Sequence, residues 1–117
     1  ILALTMVCDY IGISFNYDIF SQTEMDISSN IKEPGDWAFQ ISKYYEAKVY
    51  INPYGGGDIF DVEKFRKEGI DIKFLKNNLS IYDQRNGEFE PGLSIIDVLM
   101  FNSPRETLKL VESYKFC

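Results

Sequence analysis

The sequence contains no histidine and only two cysteines among its 117 residues. The absence of histidine removes the commonest general base and metal ligand from any mechanism confined to this chain. Cys8 and Cys117 stand near opposite ends of the sequence, in no spacing typical of a metal site. We expect reduced thiols, a cytoplasmic location, and neither a metal nor another cofactor.

Long apolar runs and an excess of positive charge are also absent. No run approaches the roughly 18 apolar residues that a membrane-spanning helix needs, and no signal peptide is visible. The 12 Lys and Arg residues against 18 Asp and Glu give a net charge of −6, and the basic residues are scattered along the chain. A nucleic acid or an anionic membrane surface is therefore a poor partner.

The length of 117 residues predicts a single α/β domain over residues 1–117. The chain starts at Ile1, inside a helical pattern and without an initiator methionine. This start favours the C-terminal part of a longer protein.

The stretch from Val49 to Asp61 organises the rest of the chain. An apolar run meets Gly55–Gly57 and a helical pattern then begins, which predicts a strand, a loop and a crossover helix. Asp61 is placed to cap this helix, and Phe60 with Phe65 matches a hydrophobic staple. Three consecutive glycines predict either backbone with φ > 0 or close approach of another group to the main chain.

Two interpretations of the glycine loop stay open. Backbone N–H groups at a helix N-terminus suit a phosphate or carboxylate, and ligands gather at the carboxyl ends of parallel strands, where Asn52 and the glycines are expected. However, the loop matches neither the dinucleotide nor the Walker pattern and has no lysine at the phosphate position. Asp58 and Asp61 would also repel an anion. The alternative is a tight, flexible turn.

Helical and strand patterns alternate along the chain, with strands at residues 13–17, 48–51 and 70–75. Strands separated by helices pair in parallel through right-handed crossovers. Two helices close the chain, and Ser103 with Glu106 gives the second one a full capping box. We predict a small three-layer parallel sheet with crossover helices and a C-terminal helical pair.

An aromatic stripe follows Gly35. Trp37, Ile41, Tyr44 and Tyr45 recur at helical spacing, which predicts the core face of an amphipathic helix. The alternative is a stacking platform for a sugar or a base.

Polar candidates for a site lie in the last third of the chain. Gln84 precedes a turn signal at Arg85-Asn86-Gly87, and its amide is either a ligand contact or part of a solvated turn. Asp97 stands inside the apolar segment Ile95–Phe101, which we expect to be buried. Its carboxylate either caps its own helix together with Ser94 or faces a site.

Three segments resemble the WbqC-like protein family. They are Val49–Gly56, Phe65 before Gly69-Ile70 and, above all, Phe89–Asn102. The run from Leu93 to Leu99 is the most specific part. The similarity is to the family's C-terminal half and covers essentially the whole chain.

This resemblance implies a bacterial protein that belongs with O-antigen and other surface-polysaccharide biosynthesis, without a settled reaction. It also implies that a histidine-containing N-terminal half, found in the family, has no counterpart in this sequence. The resemblance favours four positions as being under functional or architectural demand: Gln84, Phe89, Asp97 and Asn102.

Two hypotheses of different classes follow. In the first, the chain is a transferase domain acting on an activated sugar such as a sugar nucleotide. Asp97 is then the acid/base or hydroxyl-orienting residue, and the ligand contacts are Asn52, Gly55, Gly56, Gly57, Gln84 and Asn102. In the second, the chain is a non-catalytic interaction module whose apolar helix docks to the missing N-terminal half or to a second copy. Dinucleotide binding is a weaker third hypothesis, because the glycine pattern departs from the fingerprint.

Overall fold

The computed structural model describes residues 1–85 and 87–117, so Asn86 of the expected turn lies outside the described residues. The helices are α1 (Leu2–Ile11), α2 (Asp36–Tyr44), α3 (Val62–Lys67), α4 (Ile95–Phe101) and α5 (Pro104–Val111). The strands are β1 (Val49–Pro53), β2 (Asp71–Asn77) and β3 (Tyr114–Phe116), in the sheet order β1-β2-β3. Short 3₁₀ helices occur at Phe20–Gln22, Ser28–Asn30 and Tyr54–Ile59. This architecture confirms the predicted α/β fold class.

The sheet has the expected parallel pair and an unexpected third strand. β1 and β2 run parallel, with Tyr50 opposite Ile72, and α3 is the crossover between them. The strand predicted at residues 13–17 is wrong, because this stretch forms no strand. β3 supplies the third strand instead, and Phe74 and Cys117 beside it exchange two backbone hydrogen bonds of 3.2 and 2.9 Å. Such reciprocal bonding is typical of an antiparallel pair.

The chain divides into two compact units, so the single domain stays a prediction. Unit 1 comprises Ile1–Tyr17 and Asn77–Lys115, and unit 2 comprises Asp18–Lys76 and Phe116–Cys117. In unit 1, α1 and α4 both contact α5. The core of unit 2 consists of buried and half-buried apolar side chains from α2, α3 and the sheet, namely Ala38, Phe39, Tyr50, Phe60, Phe65, Ile70 and Ile72.

Helix α2 buries a different face from the predicted one. Its buried residues are Asp36, Phe39 and Ser42, and the Phe39 ring lies edge-on to Phe65 with 5.1 Å between centroids. The predicted aromatic stripe is exposed instead, including Trp37, Tyr44 and Tyr45. The prediction was wrong because α2 carries aromatic rings on two sides, and only the Phe39 side meets the core.

Helix α4 is also less buried than its sequence predicts. No residue of α4 is buried, and Ile96 and Met100 are 65% and 76% exposed. These two side chains are four positions apart and therefore share one face of the helix. The expected burial of α4 is not achieved by the described part of this chain.

The helix boundaries follow the local signals of the sequence. Gly12 and Gly69 end α1 and α3 with φ of 78° and 73°, in the left-handed region that glycine adopts easily. Asp61 caps α3 by accepting from the N–H of Lys64 at 3.1 Å. The Phe60 and Phe65 rings lie 6.2 Å apart, which confirms the staple. Within residues 1–85 and 87–117, no helix has the length and apolar character that crossing a bilayer requires.

Candidate functional site

The glycine loop forms a 3₁₀ helix directly after β1. None of Gly55–Gly57 has positive φ, so the first explanation for the glycines does not apply. The second explanation, close approach, applies at Gly56, where a Cβ atom would collide with the Asn52 side-chain amide. A Cβ at Gly57 would only touch the Phe74 ring at 3.9 Å, and Gly55 has open space. The group that approaches the main chain is thus a side chain of the protein itself.

Asn52 is held at the end of β1 by two hydrogen bonds. Its Oδ1 accepts from the hydroxyl of Tyr50 at 3.0 Å, and its Nδ2 donates to the carbonyl of Pro53 at 2.9 Å. The predicted ligand-binding residues Asn52 and Gly55–Gly57 therefore lie together in unit 2. Both polar atoms of the Asn52 amide already have a partner in β1.

A lysine that the sequence analysis did not predict as a site residue lies beside this loop. The Lys76 Nζ is 4.9 Å from the centroid of the Tyr54 ring. The parallel register explains the contact. Pro53 pairs with Leu75, so Tyr54 and Lys76, which follow them in the sequence, lie side by side. An isolated lysine at the end of a strand gives no signal by itself, because the register that brings it to the loop is a property of the sheet.

Asp97 does not cap its own helix. The Ser94 hydroxyl caps α4 by accepting from the N–H of Ile96 at 3.2 Å. The Asp97 carboxylate instead accepts at Oδ2 from the Gln84 Nε2 at 3.1 Å and from the Tyr82 hydroxyl. Of the two interpretations in the sequence analysis, the structure favours a carboxylate that faces other polar groups. Its Oδ1 has no hydrogen-bond partner within the described residues.

Tyr82 is a second residue that sequence reasoning missed. Its bond to Asp97 raises the pKa of the phenol, and desolvation raises it further, so the hydroxyl remains protonated and donates to the carboxylate. The ring is also fixed by Phe89, edge-on at 5.3 Å between centroids. The contact of 3.2 Å between the Gln84 Nε2 and the Tyr82 hydroxyl brings the two side chains together, and no regular pattern of the sequence marks it.

The Gln84 amide is fully engaged. Its Oε1 accepts from the N–H of Glu90 at 2.8 Å, and its Nε2 donates to the Glu90 carbonyl at 3.1 Å. The amide thus links residue 84 to the backbone of residue 90, and it also contacts Tyr82 at 3.2 Å and Asp97. Gln84 is therefore held by Glu90 while it donates to Asp97.

Asn102 lies at the end of α4 and lines an open cavity in unit 1. Its Nδ2 donates to the carbonyl of Val98 at 2.8 Å. The cavity has a volume of about 480 Å³. Its polar and aromatic walls are Ser80, Tyr82, Asp83, Phe101, Asn102, Glu106, Lys109 and Ser113. Asp97 is not a wall residue and reaches this cavity only through its bond to Tyr82.

The candidate residues fall into two groups. Gln84, Asp97 and Asn102 belong to unit 1, whereas Asn52 and Gly55–Gly57 belong to unit 2. Direct hydrogen bonding joins Gln84 to Asp97.

A second cavity, of about 480 Å³, surrounds the buried carboxylate of Asp36 in unit 2. Asp36 is 6% exposed, and it accepts from the backbone N–H groups of Lys32 and Glu33 at 2.9 and 3.1 Å and from the Lys64 ammonium. The Lys64 hydrogen bond and then the two backbone bonds lower the pKa of Asp36 to about 2. These donors hold the start of α2 against α3, so this carboxylate has a structural role. Among the residues described, no His, Cys, Asp and Glu cluster of three or more is arranged to hold a metal ion.

A model of the WbqC-like protein family matches residues 1–109, which is nearly the whole chain. No curated protein and no solved structure matches the sequence. The chain therefore belongs to the WbqC-like protein family.

Proposed function

We propose that this WbqC-like protein acts in bacterial surface-polysaccharide (O-antigen) biosynthesis, as a transferase domain for an activated sugar. The observation that supports this function most directly is the Asp97 carboxylate, which is turned away from the cap of its helix and toward Tyr82 and Gln84. A carboxylate that caps its own helix would instead accept from a backbone N–H at the start of that helix.

The arrangement suits a carboxylate that orients or deprotonates a hydroxyl group. Two donors hold Oδ2, and Oδ1 is left as an acceptor in a fixed direction. Transfer of a group to a sugar hydroxyl needs a base for the hydroxyl proton, and a positioned carboxylate can supply it. Tyr82 and Gln84 are positioning residues in this proposal, and Asp97 is the acid/base or hydroxyl-orienting residue.

The remaining candidate residues are proposed to bind the ligand. Asn102 has an amide oxygen without a partner among the described residues, at the cavity that Tyr82 also lines. Gly55–Gly57 and Asn52 are proposed for an anionic group of a sugar nucleotide, and the nearby Lys76 ammonium supports this. Asp58 opposes it, so Lys76 is the residue on which the anion contact depends.

The test is a charge-only change at Asp97 in the protein as the bacterium makes it. We expect Asp97→Asn to abolish the surface polysaccharide in a strain whose own copy has been removed, as judged by gel analysis of the lipopolysaccharide. Asp9→Asn is the matched control, because Asp9 is an exposed carboxylate of α1 in the same unit with no hydrogen bond in the described chain. A normal polysaccharide with Asp97→Asn would refute the proposed role of this carboxylate.

A second candidate function is a non-catalytic interaction module. It is favoured by the exposed apolar side chains of unit 1, among them Leu2 at 73%, Ile96 at 65% and Met100 at 76% exposure. Ile96 and Met100 share one face of α4, and exposed apolar side chains on a helix face are typical of interaction sites. The partner in this proposal is an N-terminal half of the protein or a second copy.

A positive charge introduced on the exposed apolar face of α4 separates this candidate from the first. We expect Met100→Lys to reduce the binding of an apolar dye and any self-association measured by light scattering. Val49→Lys adds the same charge at an exposed apolar position of β1 and should leave both readouts unchanged. A chain that is monomeric at high concentration and binds no dye would count against the interaction module.

A further inference from the structure

The unit 1 cavity has the size and the walls of a site for a small polar ligand. Its volume of about 480 Å³ lies in the range of roughly 300–1,000 Å³ that ligand sites occupy. The walls come from four places: the segment Ser80–Asp83, the end of α4 at Phe101–Asn102, α5 with Glu106 and Lys109, and Ser113 after α5. All of these residues belong to unit 1.

Three wall residues are anchored by one polar atom and leave another one open. Asn102 donates from Nδ2 to Val98 at 2.8 Å, Glu106 accepts at Oε2 from Ser103, and Asp83 accepts at Oδ1 from the N–H of Arg85 at 2.8 Å. The other oxygens of these side chains have no partner within residues 1–85 and 87–117. Because each side chain is already held, binding a ligand would cost little additional side-chain entropy.

The aromatic wall is held in the same way. Tyr82 is fixed by Asp97, Gln84 and the edge of Phe89, and Phe101 is half-buried beside the polar groups. A fixed ring offers an apolar surface at low entropic cost. Open acceptors beside an aromatic ring match the two sides of a pyranose, which has hydroxyl groups around its edge and an apolar C–H face.

The charges of the walls select against an anionic ligand. Asp83 and Glu106 are two carboxylates against the single ammonium of Lys109. The hydrogen bonds from Ser103 lower the pKa of Glu106, and the charge of Lys109 contributes, so Glu106 is ionised at neutral pH. Like charges placed opposite a ligand disfavour it. A diphosphate would therefore meet repulsion that an uncharged sugar does not.

We propose that the cavity between Tyr82, Asp83, Asn102 and Glu106 binds one uncharged pyranose unit of the glycan acceptor, next to the unit whose hydroxyl meets Asp97, and not the nucleotide part of the donor. This inference rests on the proposed function, because it divides the substrates of that transferase between acceptor and donor. Asn102 and Glu106 receive the sugar hydroxyls, and Tyr82 supports the ring.

The test is a titration of the 15N-labelled 117-residue chain, followed by its amide NMR signals. The probes are methyl β-D-glucoside, methyl β-D-galactoside, UDP-glucose and UDP. We expect at least one methyl glycoside to shift the amides of Tyr82, Asn102 and Lys109 saturably. UDP should leave these amides in place. The amide spectrum also reports whether each variant is folded.

Two variants and one control complete the test. Asn102→Ala removes an amide and should weaken glycoside binding about tenfold, as expected for the loss of a good hydrogen bond. Asp83→Asn keeps the shape of the side chain and should allow UDP-glucose to approach the cavity. Asn16→Ala is the matched control, because Asn16 is exposed in the same unit and makes no hydrogen bond within the described chain.

The outcomes separate this inference from the proposed function. Cavity amides that respond to UDP as strongly as to the glycosides would overturn the assignment of an uncharged acceptor. A response to UDP-glucose confined to other amides, with no glycoside bound, would also overturn it and leave a sugar-nucleotide transferase standing. Loss of the polysaccharide with Asp97→Asn tests the proposed function alone.

Discussion

Replacing Gly56 by alanine tests the reason for the triple glycine. A Cβ at Gly56 would collide with the Asn52 amide, so the side chain of Asn52 has to move. Movement would break its hydrogen bonds to Tyr50 at 3.0 Å and to Pro53 at 2.9 Å. Each such bond contributes about 0.5–1.5 kcal/mol, so the crowding should cost about 1–3 kcal/mol.

Gly55→Ala is the matched control. A Cβ at Gly55 meets nothing within 4 Å, and neither glycine has positive φ. Both substitutions reduce the freedom of the unfolded chain equally, by about 0.4–1 kcal/mol, and this term cancels in the comparison. The difference in unfolding free energy between the two variants should therefore equal the cost of the crowding alone, about 1–3 kcal/mol.

Urea unfolding followed by tryptophan fluorescence is a suitable assay. Trp37 is the single tryptophan and lies in unit 2 together with Asn52 and Gly56. In an Asn52→Ala background the collision is gone, so Gly56→Ala should then cost almost nothing. An equal cost in both backgrounds, or an equal cost for Gly55→Ala, would refute the role of Asn52.

Three further predictions concern single side chains. Asp36→Asn should remove a stabilising contribution that is present above the usual pKa of 3.8 and is lost as the pH falls toward about 2, so acid unfolding followed by circular dichroism should begin at a higher pH. Thr107→Val should raise the unfolding free energy by roughly 1 kcal/mol, since the Thr107 hydroxyl is buried without a partner in the described chain. Ser103→Ala should cost about 1 kcal/mol in urea, because it removes the Glu106 capping box of α5.

The Asp36 and Thr107 predictions each have a control of the same chemistry. Asp71→Asn removes an exposed carboxylate whose ion pair with Lys73 is 3.6 Å long, and it should leave the onset of acid unfolding nearly unchanged. Thr23→Val should destabilise the chain, because its hydroxyl donates to Phe20 at 2.7 Å. If Thr107→Val and Thr23→Val shift stability in the same direction, the unpaired state of the Thr107 hydroxyl is contradicted.

Local features of the fold could be predicted from the sequence. The caps at Asp61 and Ser103 and the left-handed glycines at Gly12 and Gly69 depend on groups within a few residues. Non-local features could not be predicted to the same extent. Residues 13–17 alternate like a strand, but alternation does not specify a partner, and the third strand comes from the far end of the chain.

The candidate site shows the same limit. Gln84 and Asp97 were both identified from the sequence, yet the bond between them joins residues 13 positions apart. The spacing of Ser94 and Asp97 favoured a cap instead, and this local interpretation failed because Tyr82 and Gln84 compete for the same carboxylate. The partners of a polar side chain become visible only when the chain is folded.

The polar contacts of Asp97 also explain how an apolar helix is left exposed. Asp97 bonds to Tyr82 and Gln84, and Ile96 and Met100 remain exposed on α4. Rotation of α4 to bury Ile96 and Met100 would break bonds to a charged group, which contribute about 1.5–3 kcal/mol each. The network therefore opposes such a rotation, and any partner that covers Ile96 and Met100 would meet a helix whose orientation is already fixed. The interaction module and the Asp97 site are compatible in one molecule for this reason.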